Sequence, residues 1–183
     1  KREKWNVIER EIITKLVNDS IEHKPRNIQA SYKLTEDEYA KAKTLLKTAT
    51  VLQYTLPGFP AIYYGDEAGM QGGSDPFNRG FFPWGKEDAE LIRWYKKLGE
   101  IRNSLQCLKE GKFIPYSAML SCVAYIRKSE SDKILVVANR NYHSIDYNLP
   151  EEFFFSVELI SGENVDYSVN IPANSAVILK KNN

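Results

Sequence analysis

After Gly111 the sequence changes its grammar, and that change limits the fold more than any other feature. CVAYIRK, KILVVANR, SIDYNL, FFFSVELI, YSVNI and SAVILK are short β-rich segments separated by polar turns. Six such segments with no helical pattern between them predict an antiparallel β-sandwich. Residues 129–132 suit a hairpin turn, and the KSESDK run at 128–133 reads as its solvated tip. His143 falls in a turn between strands and has no metal-type partner at ligand spacing.

The preceding part is written in a different pattern. Trp5, Ile8, Ile12 and Leu16 predict a helix over residues 3–19. Pro25 argues against a helix just after it, so IEHKPRNIQASYKL reads as loop. Thr35 is a candidate N-cap, followed by Glu36, Asp37 and Glu38 in the first turn. Ala42, Leu45, Leu46, Ala49 and Leu52 then form a helical stripe, which Pro57-Gly58 ends. PAIYYG has nearly continuous apolar residues, as expected of a strand buried on both faces of a parallel sheet. A polar, glycine-rich loop over 66–86 leads to a third helix at about 87–104, with Leu91, Trp94 or Tyr95, Leu98 and Ile101 inward. The fold class is therefore α/β plus all-β, with domains at 1–105 and 106–183. One helix–strand–helix unit cannot close a sheet. The first domain is expected to be the end of a larger α/β domain, with apolar surface that self-association would cover.

Composition excludes some functions. The 183 residues carry 25 Lys and Arg against 24 Asp and Glu, a net charge of +1 that favours neither nucleic acid nor an anionic membrane. No apolar run approaches the ~20 residues that span a bilayer. Cys107 and Cys122 are too few for a disulfide framework and are expected to be reduced. The chain begins on Lys1 rather than Met, which reads as the start of a piece of a longer protein.

The ordered string LQYTLPGFPAIYYGDEAGMQGGSDPFNRGFFPW, residues 52–84, resembles the last barrel strand and following loop of the alpha-amylase family of glycoside hydrolases. Within that family it is most similar to the neopullulanase and cyclomaltodextrinase branch. LIRWYKKLGEIRNSLQCLKEGKF resembles the final barrel helix and its exit. The resemblance implies the end of a (β/α)8 barrel, its last strand and helices, followed by an antiparallel C-terminal β domain. It also implies a retaining glycosidase acting on α-glucans such as maltooligosaccharides, cyclodextrins, pullulan or starch. Retaining chemistry needs two carboxyl groups about 5 Å apart, one nucleophile and one acid/base. The motifs that carry them in the family have no match here, so no catalytic residue is assigned and the chain alone is expected to be inactive. The alternative is a non-catalytic carbohydrate-binding or regulatory homologue. Its mark would be exposed aromatics on one sandwich face, with Tyr125, Tyr142, Tyr147, Phe153, Phe155 and Tyr167 as candidates.

The same resemblance assigns substrate-binding roles to Asp75 and Arg79. A carboxylate and a guanidinium on one glycine-flanked loop can each make paired hydrogen bonds to vicinal sugar hydroxyls. The other reading is that they pair with each other, being four apart. His23, in IEHKPR, is the nearest match to the family's sugar-contacting His, although Lys24 stands where that motif has Asp. Asp66, Glu67 and Tyr64 are expected to be structural at the barrel end, because adjacent residues at a strand end point to opposite faces. Trp84 packs under the loop or stacks on sugar. No metal site and no cofactor are expected, with calcium left open for the longer protein. The expected partners are an α-glucan oligosaccharide and a second copy of the chain, with no nucleic acid or membrane. The expected location is the bacterial cytoplasm, with secretion left open.

Overall fold

The computed structural model describes residues 25–72, 76–119 and 121–181; the helix expected over 3–19 lies outside them. Two compact units emerge. One combines the described residues up to Thr50 with Ala61–Tyr95, and the other combines Val51–Pro60 with the chain from Lys96 onward. This division runs through both long helices and not at residue 106. The last turn of the first helix and the second half of the other have partners in the β-rich part.

In the first unit, the segment read as loop contains helix α1, Arg26–Ser31. Pro25 occupies its N-cap, and Ile28 N donates to Pro25 O at 2.9 Å. Proline opposes a helix interior but is well suited to a helix start, where its missing N–H is not needed. Helix α2, Glu36–Thr55, opens with a capping box. Thr35 N donates to Glu38 Oε2 at 2.9 Å, and Glu38 N donates to Thr35 Oγ1 at 3.3 Å. Leu34 and Tyr39, just outside and just inside that box, belong to one apolar cluster with Ala42, Leu46 and Leu91.

Helix α3, Ala89–Ser104, is capped by Asp88, whose Oδ1 accepts from Glu90 N at 2.9 Å and Leu91 N at 3.1 Å. Leu91, Tyr95, Leu98 and Ile101 form its buried face, as their spacing predicts. Trp94 is half-buried and donates Nε1 to Thr50 Oγ1 at 2.9 Å. The second oxygen of Asp88 accepts from Tyr39 Oη at 2.9 Å and Lys43 Nζ at 3.0 Å. Burial alone would raise the Asp88 pKa. Hydrogen bonds from Lys43, Leu91 N and Tyr39, with the Lys43 charge, outweigh it and bring the carboxyl down to about 2.

The strand expected over PAIYYG is not formed: residues 59–63 join neither sheet of the structure. Apolar residues do not make a strand without a neighbouring backbone to complete the ladder.

The second unit contains the sandwich. Helix α4, Gln106–Lys109, leads into strands β1 Lys112–Met119, β2 Cys122–Lys128, β3 Lys133–Asn139, β4 Ile145–Asn148, β5 Ser156–Glu158, β6 Asn164–Val165, β7 Ser168–Ile171 and β8 Ser175–Lys181. Six of them form an antiparallel sheet in the order β1-β2-β3-β8-β5-β6, and β4 pairs with β7. Ala124, Ile126, Leu135, Val137, Val177 and Leu179 from the large sheet meet Ile171, Leu149 and Phe153 in one core, with Ile145, Tyr147 and Val169 packed against it. β3 is buried along both faces, which explains its uninterrupted apolar sequence. β1 was not legible as a strand because Pro115 interrupts it. It is the sheet edge, with a register shift between Pro115 and Ser117, where proline is tolerated.

Buried polar groups hold the joints. Arg127, 1% exposed, donates Nη1 to Thr55 O at 2.7 Å and Nη2 to Gly111 O at 3.0 Å. At Gly111 a Cβ would lie 2.8 Å from Lys128 O and still closer to Cys107 O, so only glycine fits. Asn139 Nδ2 donates to His143 O, Ile171 O and Pro172 O, while its Oδ1 accepts from Asn141. Asp132 accepts from Gln106 N and Cys107 N, capping α4 from the hairpin whose turn closes with Ser129 N donating to Asp132 O. Burial, with the Asp132 carboxylate beside it, pushes the Cys107 thiol up to about 12. Both cysteines are free. Phe155 has φ +59, a left-handed conformation that costs a bulky side chain about 1 kcal/mol or more.

Two outcomes are expected. Arg127→Met leaves the Thr55 and Gly111 carbonyls without their donor and should lower urea-unfolding stability by about 3 kcal/mol. The depressed Asp88 pKa stabilises fully above the ordinary carboxylate range and is lost as pH falls through about 2. Asp88→Asn, which keeps a capping oxygen, should remove about 2 kcal/mol at pH 7 and flatten the acid limb of stability between pH 4 and 2, read by unfolding at stepped pH.

Candidate functional site

The loop after residue 63 is a coiled turn and not a strand end. Asp66 N donates to Tyr63 O at 3.1 Å, Ala68 N to Gly65 O at 3.1 Å, Gly69 N to Asp66 O at 3.2 Å and Met70 N to Gly65 O at 2.9 Å. Asp66 and Glu67, both half-buried, therefore sit within a turn. The opposite-face geometry expected of a strand end does not apply to them. Glu67 folds back on the backbone, its Oε2 accepting from Gly65 N at 2.9 Å. Tyr64 Oη donates to Gly80 O at 3.0 Å and joins the two limbs of the loop. Met70 lies between those limbs, its Cε 3.5 Å from where a Gly80 Cβ would stand.

Two hydrogen bonds and one close approach fasten the first limb to the rest of its unit. Leu34 N donates to Gln71 Oε1 at 2.8 Å, beside the α2 capping box. Asp88 N donates to Ala68 O at 3.0 Å, beside the α3 cap. Gly69, at φ +71, passes so close to the Tyr39 hydroxyl that any Cβ would overlap it. Lys43, whose pKa is raised because bonds to Glu90 and Asp88 outweigh its burial, completes the anchor with ion pairs to Asp88 at 3.0 Å and Glu90 at 2.7 Å. None of Tyr39, Lys43, Gln71 and Asp88 stood out in the sequence as a loop anchor. Asp88 immediately before the α3 pattern was the one available signal, as an N-cap type.

Of the residues assigned to sugar contact, Asp75 and His23 lie outside the described residues. Arg79 is exposed and ends a turn in which its N–H donates to Pro76 O at 3.1 Å. Beside it Gly72 is pressed against Asn78: a Cβ there would stand 2.7 Å from Asn78 Cα. Past Gly80, Phe81 and Trp84 are exposed, and Trp84 tilts against Phe82 with centroids 4.6 Å apart. Among the described residues, no group of three His, Cys, Asp or Glu could hold a metal ion. Among its described residues the loop thus carries Tyr64, Arg79, Phe81 and Trp84 as exposed residues on a fixed base.

No family model matches the chain. An amylopullulanase from Thermoanaerobacterium saccharolyticum is 36% identical over 160 residues, covering 75% of this chain and 12% of that protein. A cyclomaltodextrinase from a Bacillus species is 37% identical over 112 residues, covering 59% of this chain and 20% of the relative. Among solved structures, an Anoxybacillus alpha-amylase matches with a TM-score of 0.69 and 26% identity over 78% of this chain and 33% of that one. The chain therefore spans a third or less of each of these three proteins. Its helices and antiparallel sandwich are those of a barrel end and the β domain after it. By sequence and by structure the chain belongs to the alpha-amylase family of glycoside hydrolases.

Proposed function

We propose that the chain is a non-catalytic part of a retaining α-glucan hydrolase. In this reading it supplies one wall of the substrate cleft and the β domain behind it. The observation that carries the reading is the loop over 64–84, whose two limbs are clamped by Tyr64 and Gly80 and which presents Arg79 outward. Relatives named amylopullulanase and cyclomaltodextrinase support an α-glucan as the substrate. Arg79, with Asp75 and His23, would hold sugar hydroxyls, and the reacting carboxyls would come from residues this chain does not contain. Glu67 is committed to Gly65 N and Asp88 to the cap of α3, so neither is placed to attack a glycosidic carbon.

The chain alone is expected to show no turnover of maltooligosaccharides, pullulan or cyclodextrins in a reducing-sugar assay. Turnover that persists through repurification and disappears in Asp75→Ala would sink this reading. The chain is also expected to self-associate, because Ile62, Phe81 and Trp84 are exposed at 42%, 101% and 81%. Light scattering at micromolar concentration measures this, and a clean monomer contradicts it.

A further inference from the structure

The large sheet of the β domain has two outer strands, and they differ. β6, Asn164–Val165, is two residues long, too short to recruit another strand. β1, Lys112–Met119, is eight residues long, and all of them but the half-buried Ser117 are exposed. Among the described residues no strand pairs with its outer side. The side chains along it are largely apolar. Phe113, Ile114, Tyr116 and Met119, with Val123 opposite Ala118 on β2, are each 39% to 72% exposed. A long apolar edge of this kind invites another strand.

The strand that fits this edge is β1 of a second copy. Antiparallel pairing of a strand with its own copy is two-fold symmetric and closes as a dimer. A register centred between Pro115 and Tyr116 sets Phe113 against Ala118 of the second copy, Ile114 against its Ser117 and Lys112 against its Met119. Lys112 is the only charged residue of β1, so no like charges meet. Two features oppose that pairing, and both fall at the centre of the register. Pro115 has no N–H to give to a neighbouring strand. Tyr116 is the extra residue of a bulge between Pro115 and Ser117, which bends the strand and breaks the run of paired groups. The ladder with β2 continues on both sides of them, from Lys112 opposite Lys128 to Met119 opposite Cys122.

We infer that Pro115 and the Tyr116 bulge guard β1: they keep a latent two-fold interface, β1 against the β1 of a second copy, from closing. The strand holds its place without that partner. It pairs with β2 along its length, and the Phe113 ring rests against Tyr125, centroids 5.1 Å apart, whose hydroxyl meets that of Thr55. A proline that an edge merely tolerates and a proline that guards the edge predict different outcomes when it is replaced. Replacing a guard opens the interface and leaves the fold as stable as before.

Hydrogen exchange of the 112–119 segment in the full chain, read by mass spectrometry at low and high micromolar concentration, tests this. In the parent chain its rate should not depend on concentration. Pro115→Val restores an N–H and supplies a strand-forming residue, so its thermal midpoint should equal or exceed that of the parent. Exchange of 112–119 in this variant should slow about tenfold at the higher concentration, as dimers form. Adding Met119→Lys sets a lysine against Lys112 of the second copy and should return exchange to the parent rate. Association through Phe81 and Trp84 raises the mass in solution without slowing 112–119, so the two kinds of self-association are told apart. Concentration-dependent slowing in the parent chain means that β1 already pairs, and overturns the guard. A lower midpoint in Pro115→Val makes the proline a requirement of the β1 fold and also overturns it. Unchanged exchange in a stable Pro115→Val removes the latent interface, and slowing that survives Met119→Lys removes the second β1 as its partner.

Discussion

The second unit depends on how the C-terminal end of α2 is satisfied. A helix leaves its last carbonyls without intrahelical donors, and they carry the negative end of the dipole. Two guanidiniums answer them here. Arg127 reaches Thr55 O from β2, and Arg102 reaches Tyr54 O and Gly58 O from α3. The Thr55 hydroxyl meets the Tyr125 hydroxyl on the same strand. Burial lowers the Arg127 pKa, and one of its nitrogens, Nε, has no acceptor among the described residues. That is the cost of bringing a charge inside. The return is a fixed position for β2, from which β1 and β3 take their register.

Asp88 plays the matching part in the first unit. It caps α3 with one oxygen, collects Tyr39 and Lys43 from α2 with the other, and holds the loop through its own N–H. Two helices and a loop therefore meet on one carboxylate. The loop owes its shape to backbone bonds, to glycine clearance, to Met70 between its limbs and to this anchor.

What was legible in the sequence follows from which forces are local. The capping box at Thr35 and Glu38, the buried face of α3 and the hairpin turn at 129–132 depend on neighbours a few residues apart, and the sequence displays them. The PAIYYG segment depends on strands from elsewhere, so its apolar pattern promised a strand that is not formed within the structure. β1 was hidden for a related reason: Pro115 is permitted only because the strand is an edge, which is a fact of the sheet and not of the segment. In the candidate site, the order of Asp66, Glu67 and Arg79 was visible. The bonds that fasten the loop, Leu34 N to the Gln71 side chain and Asp88 N to Ala68 O, span 20 residues or more and have no local signature.

The fate of the carboxylates bears on how the family chemistry is divided. A glycosidase needs one carboxyl kept protonated near neutral pH by burial or a like charge, facing a second that stays ionised. The well-placed carboxylates of this chain are arranged the other way. Glu67 accepts from Gly65 N, Asp132 from Gln106 N and Cys107 N, and Glu158 from Ile160 N, Ser161 N and Ile178 N. At Asp88 and Asp132 burial works to raise the pKa, yet donors bring both below the ordinary value. Asp88 and Asp132, held in this way at helix starts, resist protonation, the reverse of what a general acid requires. Within the described residues, Glu67, Asp88, Asp132 and Glu158 thus serve as fasteners of turns, helix starts and strand ends.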